Sequence, residues 1–397
     1  MKKYVIISKD AMCCDYLHLY GEKSWQAETP NIDALAEKGT LFTEYYTAAP
    51  STVMSFYSMI TGQYAHETPY EMYERKHYKY EGETFFTKLK KEGYSECHII
   101  WDPMWDVLPT YFNCYRNDVI IHSFEGLRES VGVHKKKEGD LFRDSKKEKD
   151  TLTRVEGLIK DVLDNDRDIF LWVHFPHVLS GRAAYGSDID LFDQYVGMIR
   201  KYVPDSCIAI TADHGNMNGF RGKLAYGFDV YNKVIKIPLI TPRIDNQERI
   251  DRNVSSVDLY EILFNKTIPE RDFIYSDSAY KAQESRKLAI INGKYKYIFT
   301  KKTGEEELFD LSFDPQENFS LMKDILFDVD RKINVAIREE YYYTGWPEIN
   351  DARKKMSAEK DRIWKNGSIK VVIKSKLKDI VRPFYEKIHS KRIRRSS

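Results

Sequence analysis

Two hydroxyls, Ser51 and Thr52, follow Pro50 and open a segment in which Val53, Phe56, Tyr57 and Ile60 recur at three- and four-residue spacing. That is the period of a helix with a buried face, and Gly62 stands where a helix ends. A hydroxyl at a helix start is most simply a cap. The same place suits a nucleophile, because free N–H groups and the positive end of the helix dipole favour a developing anion. Two other stretches bear on the choice. Tyr4-Val-Ile-Ile-Ser-Lys-Asp10 is a short apolar strand ending in a carboxylate, and Cys207-Ile-Ala-Ile-Thr-Ala-Asp213-His214-Gly215 is another that ends in Asp-His-Gly. Open α/β sheets bind ligands beyond the carboxyl ends of their strands. Asp10, Asp213 and His214, with a hydroxyl from this helix start, are therefore expected to form a site for one divalent metal with a built-in nucleophile.

That set suits a phosphate or sulfate ester, whose negative charge repels nucleophiles unless positive charge is supplied nearby. A metal lowers the pKa of a coordinated hydroxyl and offsets charge on the transferred group. Two carboxylates favour a hard cation such as Mg or Ca, and the single His admits Mn or Zn.

These groups need a scaffold. The 397 residues allow one large α/β domain or two. Strands read at 4–9, 40–49, 96–101, 168–173 and 207–212 alternate with helices from Thr29-Pro30, at 84–92 and at 151–163. Such alternation predicts a mostly parallel central sheet with helices on both faces. The strand at 168–173 ends at His174-Phe-Pro-His177. The mixed charge run 133–150 reads as a solvated insertion. Beyond 285, alternating strands around Asn292-Gly293 predict a hairpin, and Glu307-Leu-Phe-Asp-Leu a third strand of a small C-terminal antiparallel sheet. From 323 the chain reads as a charged helical tail. The expected divisions are a catalytic α/β domain over 1–265, the antiparallel subdomain over 266–325 and the tail over 326–397.

In this order and register the chain resembles the alkaline phosphatase/sulfatase superfamily. The matching stretches are Val5–Gly21, Thr29-Pro-Asn-Ile-Asp-Ala-Leu-Ala-Glu-Lys-Gly39 through Gly62, Ile210–Leu239, and Glu307-Leu-Phe-Asp-Leu-Ser-Phe-Asp-Pro-Gln-Glu317. The resemblance implies an alkaline phosphatase-like fold, with Thr52 as the metal's fourth ligand and the site of a covalent intermediate. It also implies a histidine after the strand at 168–173 that binds the substrate's phosphate or sulfate, a place His177 matches best and His174 second. The departures narrow the chemistry. Sulfatases carry Cys or Ser followed by Pro and Arg, where this chain has Thr52-Val53-Met54-Ser55-Phe56, and threonine cannot form their formylglycine. Asp213-His214 resembles the phosphotransfer branch, whose phosphoethanolamine and phosphoglycerol transferases use threonine and one metal. Tyr226 stands where relatives often have a second-metal His. Arg221 and Lys223 could supply positive charge to the substrate, or be ordinary loop cations.

A formal net charge of +1 points to no nucleic-acid partner. Cys13, Cys14, Cys97, Cys114 and Cys207 are odd in number and contain no Cys-x-x-Cys pair, so no disulfide framework or zinc knuckle is expected. The opening apolar run is too short for a signal peptide and no 18-residue apolar run occurs, which makes a cytoplasmic location the expectation. Residues 368–397 carry a net charge of +8 and an apolar stripe from Ile369 to Ile388. They could dock on the domain or bind the anionic inner face of a membrane. Two functions remain. One is a hydrolase or transferase of a phosphate-type or sulfate ester, on a small molecule, a glycan or a lipid-linked glycan. The other is a degenerate relative that binds such a ligand without turnover.

Overall fold

The computed structural model describes residues 1–21, 27–67, 80, 82–101, 118–123, 145–176, 182–278, 286–322 and 347–364. In chain order the strands are β1 (Lys3–Lys9), β2 (Thr40–Phe42), β3 (Tyr45–Tyr46), β4 (Glu96–Trp101), β5 (Ile120–Ser123), β6 (Ile169–Phe175), β7 (Ile208–Ala212), β8 (Leu239–Thr241), β9 (Arg249–Ile250), β10 (Val254–Ser255), β11 (Ile274–Asp277), β12 (Lys287–Asn292), β13 (Tyr295–Thr300) and β14 (Glu305–Asp310). The chain divides into two units, Met1–Asp324 and Ile325–Ser397.

The first unit is built on an eight-stranded sheet in the order β5-β4-β6-β1-β7-β8-β2-β9. β1 lies between β6 and β7 and is parallel to both. Val5, Ile6 and Ile7 are fully buried, as a near-continuous apolar run requires in a sheet covered on both sides. Only β8 runs antiparallel to its neighbours, β7 and β2.

Alternation along the strands assigns each helix layer to a face. Ser8 pairs in register with His174 and with Thr211, and on that side Phe56 of the helix Thr52–Thr61 packs against Trp172 and His174, with centroids 5.1 and 4.8 Å apart. Phe85, from the helix Phe85–Lys91, meets Phe170 and Trp172 on the same side. Lys9 points the other way and forms a buried ion pair with Asp188 of the helix Arg182–Ile199. Asp193 of that helix accepts hydrogen bonds from the backbone N–H groups of Asn31 and Ile32, at 3.1 and 2.8 Å. It thereby caps Pro30–Lys38, whose own Thr29 makes no side-chain capping bond to the backbone.

The expected architecture is present, a mostly parallel sheet with helices on both faces and a four-stranded antiparallel sheet, β11-β12-β13-β14. Four details differ from the sequence reading. The strand expected over 40–49 is two pieces. β2 joins the main sheet and β3 pairs with β10, because Thr43, between them, turns its hydroxyl to Asp251 at 2.7 Å. The helix expected from 151 begins at Ser145, since Lys and Glu of the charge run are good helix formers; residues 133–144 lie outside the described residues. The hairpin turn is Gly293-Lys294, because Asn292 pairs with Tyr295, and Gly293 supplies the positive φ of 57° that a two-residue turn needs. β11 is the unread fourth strand, short and buried. In the second unit, 347–364 is helical, and residues 365–397, with the basic tail, lie outside the described residues.

Candidate active site

β1 and β7 run side by side, so Asp10 and Asp213 leave the sheet at adjacent strand ends. The Asp10 N–H donates to the Phe175 carbonyl at 2.8 Å, which fixes where the chain turns out of β1. Asp213 Oδ1 accepts from the N–H groups of Ala11 and His214 at 3.0 and 2.8 Å. One end of that carboxylate is thus clamped across both strand ends. Ala11 adopts a left-handed φ of 58° to deliver its N–H.

The other carboxylate oxygens are different. Asp10 Oδ1 and Asp213 Oδ2 are buried and have no hydrogen-bond partner. His214 Nε2 lies 3.7 Å from the first and 3.4 Å from the second. His214 Nδ1 donates to the Gly215 carbonyl at 2.8 Å, and a carbonyl can only accept, so the Nε2 lone pair faces the carboxylates. One ligand atom from each of Asp10, Asp213 and His214 lies within 4.8 Å of the others. Orphaned buried oxygens are costly unless a cation or donor joins them. The residues therefore fit a divalent metal held by two oxygens and one nitrogen.

Thr52 faces this cluster. It is the first residue of its helix, and its Oγ1 lies 3.0 Å from His214 Nε2. Ser51 occupies the cap position but makes no capping side-chain bond. The helix is pinned from beneath, where the Ser55 hydroxyl donates to the Asp213 carbonyl at 2.6 Å and meets Thr47 at 2.8 Å. Gly215 is required at its position, because a Cβ there would approach the Lys233 carbonyl to 2.3 Å. The Tyr226 ring lies against the His214 imidazole, with centroids 4.3 Å apart.

Asp10, Thr52, Asp213 and His214 are thus brought together. Arg221 and Lys223 are engaged by the chain's own acidic groups. Arg221 donates to Glu307 at 3.3 Å and to the Tyr231 hydroxyl at 3.2 Å, bonds the Glu317 carbonyl, and stacks on the Tyr231 ring. Lys223 pairs with Asp229 at 2.8 Å, an acid that also binds Lys287 and is held below the usual carboxylate range by those two lysines, against its burial. His177 lies outside the described residues.

His174 belongs to β6 and is buried beneath the cluster. Its Nδ1 is 2.8 Å from Ser8 Oγ, which accepts from the Trp172 indole N–H at 2.8 Å. Its Nε2 is 3.9 Å from Asp213 Oδ2. Burial pushes this imidazole down to about 3, against the pull of the Asp10 charge and helped by His214 and Lys9. Sequence reasoning missed Ser8, Trp172 and Ser55. The one signal available was the alternation of Ser8 with Asp10, and of Trp172 with His174, along two apolar strands.

At the strand ends of this mostly parallel sheet, two carboxylates and a histidine thus face a hydroxyl at a helix start. The Sulfatase family's sequence model matches residues 2–265, and the chain belongs to that family. A choline-sulfatase of Rhizobium meliloti (strain 1021) is 26% identical over 192 residues, a match that covers 41% of this chain and 37% of that protein's length. The phosphonate monoester hydrolase of Agrobacterium radiobacter shares the fold with a TM-score of 0.64 at 17% identity, over 91% of this chain and 95% of the other. A 2-O GAG sulfatase does so with a TM-score of 0.60 at 14% identity, over 87% and 94%.

Proposed function

We propose that this chain cleaves or transfers a phosphate-type ester through a covalent intermediate on Thr52, with one divalent ion of Mn, Mg, Ca or Zn held by Asp10, Asp213 and His214. The observation that carries the reading is the pair of buried, unpartnered oxygens, Asp10 Oδ1 and Asp213 Oδ2, beside His214 Nε2 and the Thr52 hydroxyl. A cation bound there supplies positive charge against the transferred group and stabilises an anionic threonine oxygen. The chain's own part is positional. The helix start aims Thr52 Oγ1 at the cluster, and the N–H groups of its first turn favour negative charge there. As Oγ1 bonds to phosphorus, the bond to the ester's alcohol oxygen breaks and the hydroxyl's proton ends on the departing alcohol. Water, or an acceptor alcohol, then releases the group and restores the threonine.

A sulfate ester is the second reading, favoured by the family match and by the choline-sulfatase relative; at Thr52 it would have to proceed without formylglycine. The experiment is a panel of phosphodiester, phosphomonoester and sulfate ester substrates, on small-molecule and glycan alcohols, run with each ion. Turnover of phosphate esters that Thr52→Ala abolishes supports the proposal. Turnover of sulfate esters alone favours the second reading, and no turnover with tight ligand binding makes the protein a binding relative.

We extend the proposal to the whole chain as a catalytic α/β domain over 1–265, a supporting antiparallel subdomain over 266–325 and a tail over 326–397. The basic segment 368–397 would hold a cytoplasmic protein at the inner face of a membrane, next to a lipid-linked glycan. Its net charge of +8 supports this, since each cation near an anionic bilayer is worth about 1 kcal/mol.

A further inference from the structure

Trp172, Ser8 and His174 form a hydrogen-bonded line that points at a proposed metal ligand, Asp213. The line starts at Trp172. An indole N–H can only donate, so at 2.8 Å it occupies one lone pair of Ser8 Oγ. The Ser8 proton is then available to His174 Nδ1, 2.8 Å away. With Nδ1 accepting, the imidazole's own proton is on Nε2, which faces Asp213 Oδ2 at 3.9 Å. The opposite tautomer would turn an Nε2 lone pair on a buried carboxylate oxygen that already lacks a donor, an arrangement that low-dielectric burial makes costly. At 3.9 Å the contact is an oriented dipole and not a hydrogen bond.

The ring itself is fixed. Trp101 stacks on it with centroids 4.7 Å apart and Phe56 meets it edge-on at 4.8 Å. The strand register Ser8↔His174 places both polar groups on one face of the sheet.

We infer that Trp172, Ser8 and His174 form a positioning relay that holds Asp213 Oδ2 in its metal-binding orientation through the Nε2–H of His174. The inference rests on the reading of Asp213 as a metal ligand. His174 is a positioning residue here and carries no step of the reaction.

The test is the Kd of the full-length protein for Mn2+, measured by competition with a chromophoric chelator and therefore independent of turnover. Groups that orient metal ligands typically contribute 10–100-fold in affinity. Ser8→Ala, which leaves His174 in place but removes the group that sets its tautomer, should weaken Mn2+ binding by about that factor, and so should His174→Leu. His174→Gln can return an N–H near the Nε2 position and should stay within a few-fold of the wild type. A packing role alone predicts the reverse order, with Leu better tolerated than Gln. If the wild type binds Mn2+, Asp213→Asn does not, and Ser8→Ala binds like the wild type, the relay is overturned while the metal reading stands. If the wild type takes up neither Mn2+ nor Mg2+, Ca2+ or Zn2+, the metal reading falls and the relay with it.

Discussion

Thr52 Oγ1 and His214 Nε2 meet at 3.0 Å although 162 positions separate them in the chain. The contact shows where each hydroxyl at this helix start is directed. Thr52 turns into the acidic cluster, whereas Ser51, in the cap position, makes no capping bond. Thr52→Ala should therefore abolish turnover and leave the fold in place, at a cost of about 1 kcal/mol for the lost hydrogen bond. Ser51→Ala should retain most activity. Steady-state kinetics with thermal melts decide this, and a dead Ser51 variant beside an active Thr52 variant would move the nucleophile by one residue.

Asp213 contributes one clamped oxygen and one free one. Asp213→Asn should keep much of the clamp and lose the charge, so metal retention and activity should both vanish. Metal content by elemental analysis is the check, and full occupancy in that variant would sink the assignment.

Gly215 leaves no room for a side chain, with the Lys233 carbonyl 2.3 Å from an added Cβ. Gly215→Ala must displace either the 233–234 backbone or the His214 segment. Overpacking of this kind costs about 1–3 kcal/mol, and Mn2+ affinity should fall along with the melting temperature. An unchanged affinity would mean that the 233–234 segment yields and His214 does not.

Arg221 is bound by Glu307, Tyr231 and the Glu317 carbonyl. Removing one partner of a buried pair costs about 3–5 kcal/mol. Partial exposure of the guanidinium lowers the figure for Arg221→Ala to roughly 2 kcal/mol. KM should hardly move for this variant or for Lys223→Ala. A large rise in KM with unchanged stability would make these cations substrate ligands.

His98 Nδ1 and His122 Nε2 are 2.9 Å apart at the β4–β5 edge of the sheet. Burial lowers the pKa of both. In His98 the Glu96 carboxylate opposes that shift, and in His122 the His98 charge adds to it. A depressed histidine pKa means that the unfolded chain binds more protons, so the pair's stability is fully present above the unfolded value of about 6.5 and is lost as pH falls below it. The melting temperature of the wild type should drop between pH 7.5 and 5.5. The double variant His98→Gln/His122→Gln should flatten that drop, and an unchanged slope would assign it to other groups.

Much of the site was legible because its parts are local patterns. An apolar strand ending in Asp10, another ending in Asp213-His214 and a hydroxyl before a periodic helix can each be read without knowing what lies across the sheet. What could not be read depends on pairing at long range. Ser8 meets His174 only because β1 and β6 align in that register, 166 positions apart. Arg221 read equally as a cation for the substrate and as an ordinary loop cation, because Glu307, which it bonds, is 86 positions away on another strand. The hairpin turn slipped by one residue because Asn292 and Gly293 both suit a turn, and cross-strand pairing of Asn292 with Tyr295 decided between them.

The central place of β1 also carries a consequence for how the protein is made. It leaves the ribosome well ahead of both its neighbours, Ile169–Phe175 and Ile208–Ala212. At about 5–20 residues per second, Tyr4-Val-Ile-Ile would wait roughly 10–40 s for a partner on each side. During that time the nascent chain displays an unpaired apolar strand, a form prone to pairing with other chains. Closing so distant a contact is also slow in itself. Synthesis in the cell should therefore depend on chaperones that shield this segment until His214 has emerged.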